Sequence, residues 1–132
     1  QARDEWQNDG RMKGVGIDIV EVDRFEKKVS EPTFLDVTFT KNEQDECLLK
    51  GNKAEFLASR FAAKEAYMKS IGEGWSSNAQ FHEIEVVKND KGQPQIKLYN
   101  QSLTFFEEKG FSDIQLSISH TKTTAVAVVI AL

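Results

Sequence analysis

The sequence predicts an α+β fold in which a largely antiparallel sheet packs around one long central helix. Three observations predict it. The chain has 132 residues, enough for one domain with a real core and too few for two. Helical and strand-like segments are grouped rather than strictly alternating, the pattern of segregated layers and not of repeated βαβ units. The longest helical segment, about residues 53–71, stands mid-chain, with strand-like segments before and after it.

Taken in order, the elements follow from local chemistry. "KGVGIDIVEV" alternates glycine or aspartate with Val15, Ile17 and Ile19, the two-residue period of a strand with one apolar face and Asp18 on the other. "DRFEKK" reads as a short helix broken near Pro32. "TKNE", Thr40 to Glu43, matches a capping box and starts a helix over about 40–50. Asn52 with Glu55 repeats the pattern for the long helix, and Gly72 sits where glycine ends a helix in a left-handed conformation. "HEIEVVK", "QPQIKLY" and "DIQLSIS" read as strands, with "NDKG" as a turn, while "SLTFFEEKG" reads as a helix closed by Gly110. The terminal "TTAVAVVIAL" is apolar and β-branched, as in a strand covered on both faces. Residues 1–12 are polar and read as a tail, leaving residues 13–132 as the domain.

Composition excludes several functions. A net charge of −4 argues against general nucleic-acid binding, and no apolar run is long enough to span a bilayer. One cysteine permits no internal disulfide, which fits a reducing compartment, and the expected location is cytoplasmic. With two histidines and one cysteine no ordinary zinc site can form in one chain. A metal would have to sit on carboxylates, which favours Mg²⁺.

The long helix carries the chemistry. At 100° per residue, Phe56, Leu57, Phe61, Tyr67, Met68 and Ile71 share one arc that should face the core, and Arg60 and Lys64 fall inside it. Charges there are costly unless paired or reaching an opening, so they point to an anionic partner at the core's edge. Glu65 and Lys69 border the arc, beside the small Ala62 and Ala66 that would let something approach the backbone. The plainer readings are a solvated Glu65–Lys69 pair and cations that snorkel into water. Asp18 within an apolar strand needs compensation, which a cation would supply, and "SISH" places His120 at a turn within reach of a ligand. Taken alone, Asp18 could equally accept a neighbouring amide and His120 be an ordinary turn histidine.

Together, "GVGIDIVEVDR", "FLASRFAAKEAYMKSIGEG" and "SISHTKTTAVAVV" closely resemble the 4'-phosphopantetheinyl transferases, and by length their holo-(acyl carrier protein) synthase branch. The resemblance runs from about residue 13 to the C-terminus. It implies Mg²⁺-dependent transfer of phosphopantetheine from coenzyme A to a serine hydroxyl of an acyl carrier protein, releasing adenosine 3',5'-bisphosphate. Mapped onto this chain, Asp18 and Glu65 would bind Mg²⁺, and Arg60, Lys64 and Lys69 would surround phosphate groups. His120, Pro94 and the Gly72–Gly74 loop would contact coenzyme A, and Arg24 the acidic carrier. Lys69 is the candidate to neutralise or protonate the leaving group; the base stays open between Glu65 and a metal-bound water held by Asp18. Catalysis would come mainly from positioning and from cations near the oxygens. The family's small members also imply a homotrimer with active sites between subunits. Two rivals stand beside this reading. One is a non-catalytic module binding coenzyme A or a nucleotide, which would need neither carboxylate; the other is a structural domain of a larger synthase.

Overall fold

The computed structural model describes residues 12–132, so the expected polar tail lies, Met12 excepted, outside the described residues. Strand β1 (Gly14–Glu21) leads through 3₁₀ turns at Val22–Phe25 and Lys28–Ser30 into helices α1 (Pro32–Thr38), α2 (Lys41–Leu48) and α3 (Lys53–Ser70). A third 3₁₀ turn (Phe81–Glu83) precedes β2 (Ile84–Lys88) and β3 (Pro94–Leu98), then α4 (Asn100–Glu108), β4 (Ile114–His120) and β5 (Thr124–Ala131). All ladders are antiparallel, in one sheet of order β1-β5-β4 and a second of β2-β3. The expected α+β class is what forms, although the strands divide between two sheets.

Two of the helix caps read from sequence form in full at Thr40 and Gly72. Thr40 accepts the Glu43 N–H at 3.2 Å while Glu43 accepts the Thr40 N–H at 2.9 Å, so two orphan donors of α2 are satisfied reciprocally. At the far end of α3, Gly72 takes φ +72° and the Glu73 N–H reaches the Met68 carbonyl at 3.0 Å, closing the helix in a Schellman motif. Two expectations fail here. "DRFEKK" forms 3₁₀ turns, not a helix of its own, and Pro32 opens α1 where a break was expected. At the first helical position proline's missing N–H is one that a helix start leaves unpaired anyway.

Helix α3 is enclosed on nearly all sides, not on one arc; Ala54, Leu57, Ala58, Ala62, Ala63, Ala66 and Tyr67 are all buried. Its small residues admit β1 at backbone distance. A Cβ on Gly16 would lie 2.0 Å from the Ala66 carbonyl oxygen, and one on Gly14 1.8 Å from that of Ser70. Only glycine tolerates that approach. Because side chains alternate along a strand, the face that presents Gly14 and Gly16 to the helix also presents Asp18.

The opposite face of this sheet departs from expectation. Val15, Ile17 and Ile19 are 57%, 61% and 66% exposed. They stand directly across from Ile130, Val128 and Val126 of β5. Within the chain β5 is covered on its α3 side alone, its residues alternating between buried and half-buried. The aliphatic sheet face is left bare, while the glycine and alanine faces pack against the helix.

Candidate active site

Helix α3 carries two clusters of charge on different faces. The first lies where β1 crosses its C-terminal half. Close packing at Gly16 brings Asp18 beside the last turns of the helix, and Lys69 Nζ donates to Asp18 Oδ1 and to the Ile17 carbonyl, both at 3.0 Å. Glu65 shares this corner. Burial, then the Asp18 charge, push its carboxyl above the ordinary range, while Lys69 and Arg24 pull the other way. The Arg24 guanidinium itself lies 5.7 Å from the Phe61 ring centroid and 5.9 Å from that of Phe25. Two mutually repelling carboxyls whose neighbouring cations, Lys69 and Arg24, are exposed form a site that a hard divalent cation would relieve. Among the described residues no cluster of three or more His, Cys, Asp or Glu side chains exists. A pair of carboxylates is nevertheless the donor set that Mg²⁺ takes, since it keeps waters and substrate phosphates as its other ligands.

The second cluster lies at the other end of α3. A cavity of about 230 Å³ is lined by Lys50, Glu55, Arg60, Lys88 and His120, with Phe56 and Ser59 in its wall. Arg60 is 8% exposed, stacks 4.2 Å from the Phe56 ring centroid and leaves its Nε without a partner. Burial lowers its proton affinity, opposed by Glu46. Glu46 Oε2 lies 3.2 Å from Lys88, 3.6 Å from Lys50 and 3.7 Å from Arg60. Burial works against the Glu46 charge, but these three cations hold its carboxyl below the usual range. Lys50, Lys88 and the buried Arg60 guanidinium outnumber the two carboxylates, Glu46 and Glu55, and make a site suited to an anion.

Lys64 belongs to neither cluster, which corrects its sequence-based place among phosphate contacts. Its ammonium is fully buried, donating to Glu43 Oε1 and the Phe81 carbonyl at 2.8 Å each and to the Ile84 carbonyl. Glu43 Oε2 in turn accepts the Val86 N–H at 2.8 Å. Burial pushes the Lys64 ammonium below its ordinary range and Glu43 draws it back. The pair ties α2, α3 and β2 together, and no donor of Lys64 is left to face a ligand.

Of the other positions singled out, Gly72 and Gly74 have open space around them, in the loop after α3. Trp75 follows, 64% exposed, its ring 6.1 Å from Phe81, which stacks on Phe61. Pro94 opens β3 opposite Lys88 and lines a cleft between β3 and β4, outside the Arg60 cavity. Sequence reasoning missed Lys50, Lys88 and Glu46, exposed-looking charges whose only signal is a common neighbour in space.

A family profile described as the 4'-phosphopantetheinyl transferase superfamily matches residues 14–129. The chain belongs to this superfamily. This transferase is an enzyme of the holo-(acyl carrier protein) synthase type. It is 41% identical over 122 residues to a holo-[acyl-carrier-protein] synthase of Alkaliphilus oremlandii, covering 92% of this chain and 99% of that relative. The crystal structure of the synthase from Neisseria meningitidis superposes with a TM-score of 0.86 at 31% identity, covering 92% of this transferase and 99% of that chain. A Helicobacter pylori holo-[acyl-carrier-protein] synthase in complex with coenzyme A matches with a TM-score of 0.78 at 32% identity, covering 89% and 99%. None of the described helices of this transferase is long and apolar enough to cross a membrane.

Proposed function

We propose that this chain transfers the 4'-phosphopantetheine group of coenzyme A to a serine hydroxyl of an acyl carrier protein in the cytoplasm, with Mg²⁺ and with release of adenosine 3',5'-bisphosphate. The observation that carries this reading is the corner where β1 brings Asp18 against Glu65 and Lys69, two carboxyls and an ammonium on a backbone contact that only glycine permits. A non-catalytic nucleotide module would need the Arg60 cavity but not this corner.

Asp18 and Glu65 would hold the metal. Bound there, Mg²⁺ would act as a Lewis acid on the pyrophosphate oxygens. The serine O–P bond would form as the pyrophosphate P–O bond breaks, the serine proton would pass to Glu65 or to a water held by Asp18, and negative charge would move onto the departing nucleotide. Lys69, half-exposed and beside Asp18, is placed to neutralise that charge. Coenzyme A carries one phosphate besides its pyrophosphate, the 3'-phosphate, and the cations around Arg60 suit a dianion. Arg24, exposed at the rim of the carboxylate corner, is a suitable contact for an acidic carrier.

The two clusters do not share a helix face. Arg60 and Glu65 are five residues apart on α3, which turns them about 140° from each other. One coenzyme A would therefore bridge the carboxylate corner of one protomer and the Arg60 cavity of the next. The bare face formed by Val15, Ile17, Ile19, Val126, Val128 and Ile130 is the surface through which three copies would associate.

The reading is tested by mixing apo carrier protein, coenzyme A and Mg²⁺ with the chain and weighing the carrier by mass spectrometry. The carrier is expected to gain one phosphopantetheine; an unchanged mass with every carrier tried would sink the proposal. Ile17→Lys puts a charge in the middle of the bare sheet face without touching the α3 side. Sedimentation is expected to show a monomer in place of a trimer, with transfer reduced at least tenfold because the composite site is split. A variant that stays trimeric and active would refute this assembly.

A further inference from the structure

Glu55 withholds its side chain from the cap it is spaced to make. Asn52 Oδ1 accepts the Glu55 N–H at 3.0 Å, as Thr40 does for Glu43, but no reciprocal bond from the Glu55 carboxylate to the Asn52 N–H is formed. The carboxylate reaches instead to the end of β4, where Glu55 Oε1 meets His120 Nδ1 at 2.5 Å. Both residues line the Arg60 cavity. A carboxylate in the wall of an anion site is by itself a liability, since it repels the ligand. Bonded to an imidazole it can act the other way, because a partner on one ring nitrogen decides which nitrogen the ligand meets.

We propose that Glu55 is a positioning residue for the 3'-phosphate of coenzyme A. It holds the His120 ring by Nδ1, so that Nε2, which carries a hydrogen in the imidazolium form, is the nitrogen left to donate to the anion gathered by Arg60, Lys50 and Lys88. His120 is the exposed last residue of its strand, and of the described contacts only the bond to Glu55 restrains its ring. Without it the ring would have to be ordered by the ligand itself, at a cost in affinity. The proposal rests on the transferase reading above and adds a role that the resemblance does not assign.

The test uses the full chain with coenzyme A and with 3'-dephospho-coenzyme A, which lacks the phosphate in question. Glu55→Ala is expected to raise KM for coenzyme A roughly tenfold, the lower end of what losing such a supporting bond does, with kcat within about twofold. KM for the dephospho substrate should not move. Glu55→Gln keeps an oxygen that can accept from Nδ1 and should stay within about twofold of the wild type. In the ligand-free protein, ¹⁵N imidazole spectra should show Nδ1–H for His120 in the wild type and in Glu55→Gln, and its loss in Glu55→Ala. His120→Asn assigns the signal between the two histidines. A KM for coenzyme A that is unchanged or lowered in Glu55→Ala overturns the proposal, as would equal increases for both substrates or an unmoved ring signal. Failure of the transferase reading would look different: the wild type would modify no carrier with either substrate, while the spectra would still report the Glu55–His120 bond.

Discussion

Asp18→Ala and Glu65→Ala are each expected to lower phosphopantetheine transfer by a factor on the order of a hundred to a thousand, the scale on which removing preorganised charge stabilisation acts. Each substitution takes away one of the two carboxylates that would hold the metal, and no third His, Cys, Asp or Glu stands in the cluster to replace it among the described residues. The fold should survive. The Asp18–Lys69 pair is part-exposed, with the lysine side chain 54% accessible, so its own contribution to stability is at most about 1 kcal/mol. Glu65 sits in a corner whose burial and neighbouring Asp18 already disfavour its charge, and removing it relieves repulsion. Thermal melts should therefore stay close to the wild type while the mass-spectrometric transfer assay collapses. Mn²⁺ titration followed by electron spin resonance gives an independent reading, with weaker binding expected in both variants. Full transfer rates at limiting Mg²⁺ in both would show that the metal site lies elsewhere.

Lys64→Met should act in the opposite sense, on stability and not on the chemistry. Its ammonium is the buried counter-charge of Glu43, whose carboxylate also caps α2 and accepts the Val86 N–H. Removing the cation leaves a buried carboxylate without its counter-charge and takes the ammonium donor from the Phe81 and Ile84 carbonyls. Breaking such a pair from one side costs roughly 3–5 kcal/mol, a large share of the stability of a domain this size. Urea unfolding should report that loss. Glu43→Gln combined with Lys64→Met removes both charges and keeps an acceptor oxygen for one of the two backbone N–H groups, so part of the stability should return. The folded fraction of either variant should bind coenzyme A with unchanged affinity. If stability were unaffected and affinity fell, Lys64 would be the phosphate contact that its place in "FAAKEA" implies.

These two results divide the charged residues of one helix. Along α3 the sequence displays Arg60, Lys64, Glu65 and Lys69 as a single run, and periodicity puts the first two together on a core-facing arc. The structure separates them into a buried clamp, a carboxylate corner and an anion cavity. Periodicity could not make this division, because α3 is buried on most sides and Lys69 alone of its residues is exposed. Whether a buried cation meets a carboxylate, a carbonyl or a cavity depends on residues such as Glu43, Phe81 and Ile84, which come from other elements.

Much of the short-range chemistry was legible, although "DRFEKK" and Pro32 were misread. The capping box at Thr40, the glycine stop at Gly72 and the strand period of β1 all depend on residues within a turn or two of each other, and all are present. The Asn52–Glu55 cap was legible by half. Its backbone bond is local, but the Glu55 side chain is claimed by His120, 65 positions away. The aliphatic face of β1 was legible as a stripe, and its direction was not. Apolar side chains are ordinarily assigned inward, whereas here the α3 backbone comes so close that only Gly14 and Gly16 fit beneath it, which turns Val15, Ile17 and Ile19 outward.

What the sequence by itself determined is therefore most of the elements and the α+β class, because helix ends and strand period are encoded in neighbouring residues. Only the tertiary structure decided which charges pair with one another, and which sheet face is bare. Those outcomes depend on how closely two backbones approach, and that distance is set by packing among residues far apart in the chain.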